Sequence, residues 1–181
     1  MKAPKLRALE KNVLKYRALQ MIMILHAHET LKRHLINSIR TTDRIFKLTP
    51  ERLPPGCKKP YEKALQILID HGILNEVESK HLLEYANFRN TIGHDVHTLL
   101  QDITGSDSTN GMNCLYDYYA LERLQRYRKK ISDGMMRGFV NEIGFAELIF
   151  EQAELTYKEE LERLDRKIRR QIHARIKARN A

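Results

Sequence analysis

The chain has 181 residues, and its 32 Lys and Arg residues against 23 Asp and Glu residues give a formal net charge of +9. This length suits one domain with its own hydrophobic core, which needs no disulfide or metal crosslinks for stability. Eight Gly and five Pro are too few for a sandwich or barrel of many short strands, and 42% hydrophobic with 30% charged residues is typical of an ordered, soluble protein.

The cysteines and the apolar runs indicate the compartment. Cys57 and Cys114 form no Cys-x-x-Cys pair, which argues against a disulfide scaffold and against a cysteine-based zinc site. The densest early apolar run, at residues 21–25, is too short to cross a bilayer and is flanked by polar residues, unlike a signal peptide. We therefore expect a cytoplasmic protein with no membrane partner.

The positive charge is concentrated at the two ends of the sequence. Residues 1–17 contain six basic residues against Glu10, and residues 163–181 contain eight against Asp165. The stretch between them has eighteen basic and twenty-one acidic residues, so it is slightly negative. A basic end is either a solvated helix face or an arm that binds phosphates, and the sequence favours the solvated face.

Apolar residues recur at helical spacing through most of the chain, and no alternating strand pattern competes with it. The spacing predicts five helices, over residues 5–39, 61–70, 76–100, 112–131 and 141–179. We therefore predict an all-α fold, an irregular up-and-down helical bundle of about five helices with a long basic C-terminal helix.

Turn and capping residues set the predicted boundaries. Gly72 follows the second helix, and Asn75 is a suitable N-cap for the third, which has acidic residues in its first turn. Residues 104–111 are rich in Gly, Ser, Thr and Asn and predict a flexible loop. We expect residues 1–143 to form the bundle and residues 144–181 to form an amphipathic basic helix that packs on the bundle or on a partner.

The apolar stripe of this last helix is too irregular for a long coiled coil, because Gln171 and Arg175 interrupt its heptad. Its spacing favours packing over a short length along a partner helix. Dimerisation is therefore our first interpretation of the helix, and an RNA-binding tail is the second.

The most informative segment is residues 85–95, which contains Arg89, Asn90 and His94 in an Arg-polar-x3-His pattern. Cleavage of a phosphodiester without a metal needs a group that moves protons and a cation that stabilises the pentacoordinate phosphate. Histidine suits the first task through its pKa, and the planar, permanently charged guanidinium of arginine suits the second. These three residues are the candidate catalytic group.

The spacing of the motif restricts how its members meet. On a regular helix Asn90 and His94 share a face, whereas Arg89 and His94 lie about 140° apart around the axis. Their convergence on one phosphate needs either a local distortion, which Gly93 would permit, or a second subunit that supplies the partner group.

On these residues the chain resembles the HEPN family (higher eukaryotes and prokaryotes nucleotide-binding domains), small helical bundles marked by an Arg-x4–6-His motif. The resemblance implies a metal-independent endoribonuclease that acts as a homodimer, with the motifs of both chains in one cleft, as a toxin or in defence against phage. It also implies that Arg89 stabilises the phosphate, that Asn90 orients it, and that His94 is the general base or acid in attack by the RNA 2′-hydroxyl.

The sequence departs from one branch of that family. In HEPN toxins paired with a nucleotidyltransferase antitoxin, a tyrosine that becomes modified follows two residues after the histidine, and here that position is Val96. This argues against that mode of neutralisation. A cognate antitoxin or regulatory protein of another kind remains an expected partner, beside RNA and a second copy of the chain.

Further candidate substrate contacts are Tyr116, which would stack on an RNA base, and Arg123 and Arg126, which belong to a basic cluster that extends to Lys130. Core packing of the tyrosine and a solvated helix end are the competing interpretations. The histidines match no recognised zinc spacing, and no phosphate-binding glycine loop occurs, so we expect neither a metal nor a cofactor. The alternative to a ribonuclease is a non-catalytic HEPN-like regulatory subunit or nucleic-acid-binding dimer.

Overall fold

The computed structural model describes the backbone of residues 6–94, 116–140 and 145–180, and the side chains of residues 6–85, 116–140 and 153–180. No strand occurs in these ranges, so the predicted all-α helical bundle is confirmed. Its helices are α1 (Ala8–Ile45), α2 (Pro60–Asp70), α3 (Glu76–His94), α4 (Ala120–Met135) and α5 (Phe145–Arg179).

Helix α1 is the central element, because each of the other four helices contacts it. Its 38 residues span about 57 Å at a rise of 1.5 Å per residue. Apolar side chains occupy more than one of its faces, as the crowded stretch from Leu19 to Leu25 predicts. The buried apolar residues of α1 include Met23, Ile24, Leu31, Leu35 and Ile39.

Helices α2 and α4 run in the same direction as α1. The ring of Tyr61, at the start of α2, meets the ring of His28 with centroids 5.3 Å apart. His71, at the end of α2, lies 3.2 Å from Arg52, which binds Asp43 near the end of α1. The residues on either side of α4 contact α1 in the order in which they occur in the sequence. Before α4, the Tyr118 carbonyl accepts from Gln20, and after α4, the Val140 N–H donates to Thr42 Oγ1. The segment between α1 and α2 therefore returns along the bundle, and Leu53 is fully buried on the way.

Helix α5 runs antiparallel to α1. Near its end, Gln171 accepts a hydrogen bond of 2.9 Å from Asn12 Nδ2, close to the start of α1. Leu161 and Leu164 of the predicted apolar stripe are buried. This part of the stripe is therefore covered within the bundle itself.

Two predicted turn signals are confirmed. Gly72 follows α2 with a φ of +67°, and the next N–H, of Ile73, closes the helix end by donating to the Leu68 carbonyl at 2.9 Å. Asn75 caps α3, since its Oδ1 accepts from the Glu78 N–H at 2.9 Å while Glu78 Oε2 accepts from the Asn75 N–H at 3.0 Å. This reciprocal pair is a capping box.

The predicted limits of the fourth helix were wrong at both ends. Helix α4 begins at Ala120 instead of residue 112, and it passes through the expected stop at residues 132–134. Asp133 binds Lys129 one turn earlier at 2.9 Å, which supports the helix. Gly134 allows a close approach, because a Cβ there would lie 2.6 Å from Ile73 Cγ2.

Other predicted boundaries differ less or fall outside the described residues. Helix α1 continues to Ile45, beyond the predicted end at residue 39. Helix α2 agrees with its prediction to one residue. The predicted loop at residues 104–111 lies outside the described ranges.

A buried carboxylate holds the end of α1 to the segment that follows it. Asp43 is 1% exposed, and its Oδ2 accepts from the backbone N–H groups of Arg52 and Leu53 at 2.8 and 3.2 Å. Its Oδ1 accepts from Arg52 Nε at 2.7 Å. The same guanidinium lies 5.0 Å from the centre of the Phe139 ring, so one side chain joins α1 to the segment after α4.

We predict that Asp43→Ala lowers the free energy of unfolding by about 3 kcal/mol, because it leaves the Arg52 guanidinium and two buried N–H groups without their acceptor. Urea unfolding monitored by circular dichroism measures the change. Asp133→Ala, which removes an exposed carboxylate, is the control and should cost about 0.5 kcal/mol or less. Equal losses in the two variants would contradict the role assigned to Asp43.

Candidate functional site

The motif residues belong to α3, and α4 fixes the direction of that helix. Lys130 Nζ binds Glu78 at 2.7 Å in the first turn of α3, and one turn later His81 Nδ1 lies 2.7 Å from Tyr127 Oη. These contacts pair later residues of α3 with earlier residues of α4. The two helices are therefore antiparallel.

The next contact in this series is buried. Tyr85 donates its hydroxyl to the Ala120 carbonyl at 2.9 Å, at the first residue of α4. Burial raises the pKa of the Tyr85 hydroxyl, although the nearby Arg123 opposes that rise. This hydrogen bond directs the remainder of α3 toward the end of the bundle where α4 begins.

The candidate catalytic residues Arg89, Asn90 and His94 follow in the last turns of α3. Their side chains lie outside the described residues. The backbone is assigned as α-helix through Gly93 to His94. With regular geometry Arg89 and His94 are separated by about 140° around the helix axis.

Beside the start of α4, an arginine is enclosed by aromatic rings. Arg17 is 3% exposed, its guanidinium carbon lies 4.9 Å from the centre of the Tyr116 ring, and its Nε donates to Tyr118 Oη at 3.0 Å. The two tyrosine rings meet edge to face with centroids 4.9 Å apart. This cluster fixes the segment before α4 onto α1.

Sequence reasoning counted Arg17 among solvated charges and missed this role. A signal was present, because Arg17 lies four residues from both Val13 and Met21 on a face with apolar neighbours. A long side chain on such a face is buried when aromatic partners and hydrogen bonds are supplied by another segment.

The predicted substrate contact Tyr116 is buried in the structure. Its ring packs against Arg17 and Tyr118, and its hydroxyl donates to the Arg17 carbonyl at 3.2 Å. Burial raises the pKa of this hydroxyl. The neighbouring Tyr119 is the exposed ring of this segment, with 68% of its surface accessible.

The predicted basic contacts on α4 have carboxylate neighbours. Arg123 forms a bidentate ion pair with Asp117, which raises the pKa of the guanidinium, and Arg126 lies 3.3 Å from Glu122. The other members of the cluster are paired in the same way. These pairs are Arg128 with Glu154, Lys129 with Asp133, and Lys130 with Glu78. The local positive charge of α4 is therefore largely neutralised.

The described side chains contain no group of three or more His, Cys, Asp or Glu residues that would hold a metal ion. His28 packs against Tyr61, and His26 Nε2 lies 3.1 Å from Thr30 Oγ1. The other histidines considered in the sequence, His94 and His97, lie outside the described side chains.

Comparisons with protein-family models, with curated proteins and with solved structures find no match. Within the described ranges, no helix combines the length and the apolar character needed to cross a membrane.

We predict that Tyr116→Phe lowers the free energy of unfolding by about 1 kcal/mol at pH 7, because one buried hydrogen bond is lost. The loss should shrink at pH 11. The folded protein resists ionisation of Tyr116, so the stability that its protonated form contributes is complete below pH 10 and declines as the pH rises above the pKa of the unfolded chain. Urea unfolding at both pH values measures the two losses.

Tyr119→Phe is the matched control, since it removes an exposed hydroxyl three residues away. It should change the free energy of unfolding by about 0.5 kcal/mol or less at either pH. A loss for Tyr116→Phe that is the same at pH 7 and pH 11 would contradict the expected coupling to ionisation.

Proposed function

We propose that this protein is a metal-independent endoribonuclease of HEPN type that acts as a homodimer on RNA. The observation that carries the proposal is the Arg89-Asn90-x3-His94 pattern on a helix of an all-α bundle. The proposal includes a cytoplasmic role as a toxin or phage-defence effector, held in check by a regulatory protein.

Each motif residue has a distinct task. The guanidinium of Arg89 binds the scissile phosphate and stabilises the charge that develops on it. Asn90 orients the phosphate through its amide. His94 takes the proton from the RNA 2′-hydroxyl or gives a proton to the leaving oxygen, a transfer that suits an imidazole near neutral pH.

The uninterrupted backbone of α3 supports a site shared between subunits. One regular helix does not bring Arg89 and His94 onto the same phosphate. Two helices related by a twofold axis can place Arg89 of one chain beside His94 of the other.

We expect His94→Ala to lower the rate of RNA cleavage by about a hundredfold or more, because it removes the proton-transfer group. Purified protein is incubated with total cellular RNA, with and without EDTA, and products are resolved on a denaturing gel. His97→Ala, a histidine outside the motif, is the control. Equal cleavage by the wild type and His94→Ala contradicts the catalytic assignment, and loss of wild-type cleavage in EDTA contradicts the metal-free mechanism.

A mixing experiment tests whether the site is shared. Arg89→Ala and His94→Ala are each expected to be inactive, but a dimer of one subunit of each retains one site with both side chains. An equal mixture that exchanges subunits should recover about a quarter of the wild-type rate, since half of the dimers are mixed and each has one intact site. No recovery, in a mixture shown by mass to contain mixed dimers, contradicts the shared site.

The second candidate is a non-catalytic nucleic-acid-binding dimer. The basic residues of α5 favour it, because they would bind a nucleic acid without any contribution from the motif. Salt-sensitive retention of RNA without cleavage by either the wild type or His94→Ala would support it over the ribonuclease.

A further inference from the structure

The two basic ends of the chain lie side by side in the structure. Helices α1 and α5 are antiparallel, so residues 6–17 and residues 163–180 are neighbours, joined by the hydrogen bond from Asn12 to Gln171. We name these two segments together the basic pole. They contain twelve Lys and Arg residues, of which only Arg17 is buried, against Glu10 and Asp165, whereas residues 18–162 are slightly negative. Charges that are remote in the sequence therefore form one surface.

The α5 part of the basic pole presents a regular row of basic side chains. These side chains recur at alternating spacings of three and four, which places them on one face of the helix. The opposite face carries Leu164, which is buried, and Ile168 and Ile172, which are half-buried. The row therefore faces solvent. Its members are Arg163, Arg166, Arg170, His173 and Lys177.

Few carboxylates neutralise the basic pole. Arg163 is paired with Glu160, Arg166 with Glu162, and Arg169 with Asp165. Within the described part of the chain, six other basic side chains of the pole have no carboxylate within 4 Å, in contrast to the basic cluster on α4. They are Lys11, Lys167, Arg170, Arg175, Lys177 and Arg179.

Such a surface carries an energetic cost. Like charges on adjacent helices repel each other and weaken the contact between α1 and α5, which the Asn12–Gln171 hydrogen bond joins here. A polyanion relieves this repulsion when it binds, because its phosphates replace the missing carboxylates and release their counterions.

The chemistry of the exposed face favours a nucleic acid over a membrane. A helix that lies in a membrane interface buries an apolar face in lipid, but the apolar face of α5 is directed toward α1 in this region. In the described α5 part of the pole, Ile176 is the single large apolar side chain that is exposed.

We propose that the basic pole binds the phosphodiester backbone of a nucleic acid, with the row from Arg163 to Lys177 along the strand. The distance from Arg163 to Lys177 is about 21 Å along the helix axis, the length of about six nucleotides of one strand. This binding does not depend on cleavage at His94. It is a property of charge placement, so both RNA and DNA strands should bind.

The experiment measures fluorescence anisotropy of labelled single-stranded RNA and DNA of the same sequence over a range of salt concentrations. All proteins carry His94→Ala, so that cleavage does not interfere. The test variant is Arg170→Glu with Lys177→Glu, and the control is Lys58→Glu with Lys63→Glu, two exposed lysines outside the pole with the same change in charge.

We expect the Arg170 and Lys177 pair to weaken binding by about tenfold or more and to reduce the slope of log K against log salt by about 1.4, or about 0.7 for each phosphate contact. The Lys58 and Lys63 pair should retain the parental affinity and slope. If circular dichroism shows that the variant with Arg170→Glu and Lys177→Glu does not fold, the variant with Arg170→Ala and Lys177→Ala replaces it. The same reduction in slope is expected.

Three results would overturn the proposal. They are the absence of salt-sensitive nucleic-acid binding by the parent, equal weakening in the pole and control variants, and binding of phosphatidylserine vesicles without binding of either nucleic acid. None of them bears on cleavage, because the ribonuclease assignment is tested separately in protein that carries His94.

Discussion

The fold depends on the burial of α1, since this helix contacts all four others and its apolar side chains face several directions. A helix that is apolar on more than one side is stable in water only when other segments cover it. Helices α2, α3, α4 and α5 supply that cover. The direction in which each crosses α1 then determines which polar side chains meet, including the pairing of α3 with α4 and the meeting of the two chain ends.

The sequence was sufficient for features that depend on local chemistry. The apolar spacing predicted the helices, and the positions of Gly72 and Asn75 predicted where α2 ends and α3 begins. It was insufficient where a distant partner decided the outcome. Helix α4 continues through residues 132–134, where Gly134 lies against Ile73 of another segment. Local spacing in the sequence does not reveal such a contact.

The same distinction applies to the candidate site. The motif could be recognised because its residues are adjacent in sequence, and the structure adds the direction of the helix that carries it. The charge state of the surrounding surface could not be predicted. Arg123 is neutralised by Asp117, and Arg17 is buried beneath tyrosines from the segment before α4. Among the described residues, five cations of α5 have no carboxylate within 4 Å, whereas four others are paired. These differences depend on which segments meet in three dimensions.

The close approach of Gly134 to Ile73 also limits how far α4 can rotate about its own axis. One residue of rotation corresponds to about 100°, enough to carry Tyr127 away from His81 and Lys130 away from Glu78. Both contacts hold α3 in place. Glycine at position 134, which has no methyl group, therefore permits the packing of α4 that holds α3, the helix with the Arg89–His94 motif, in its direction.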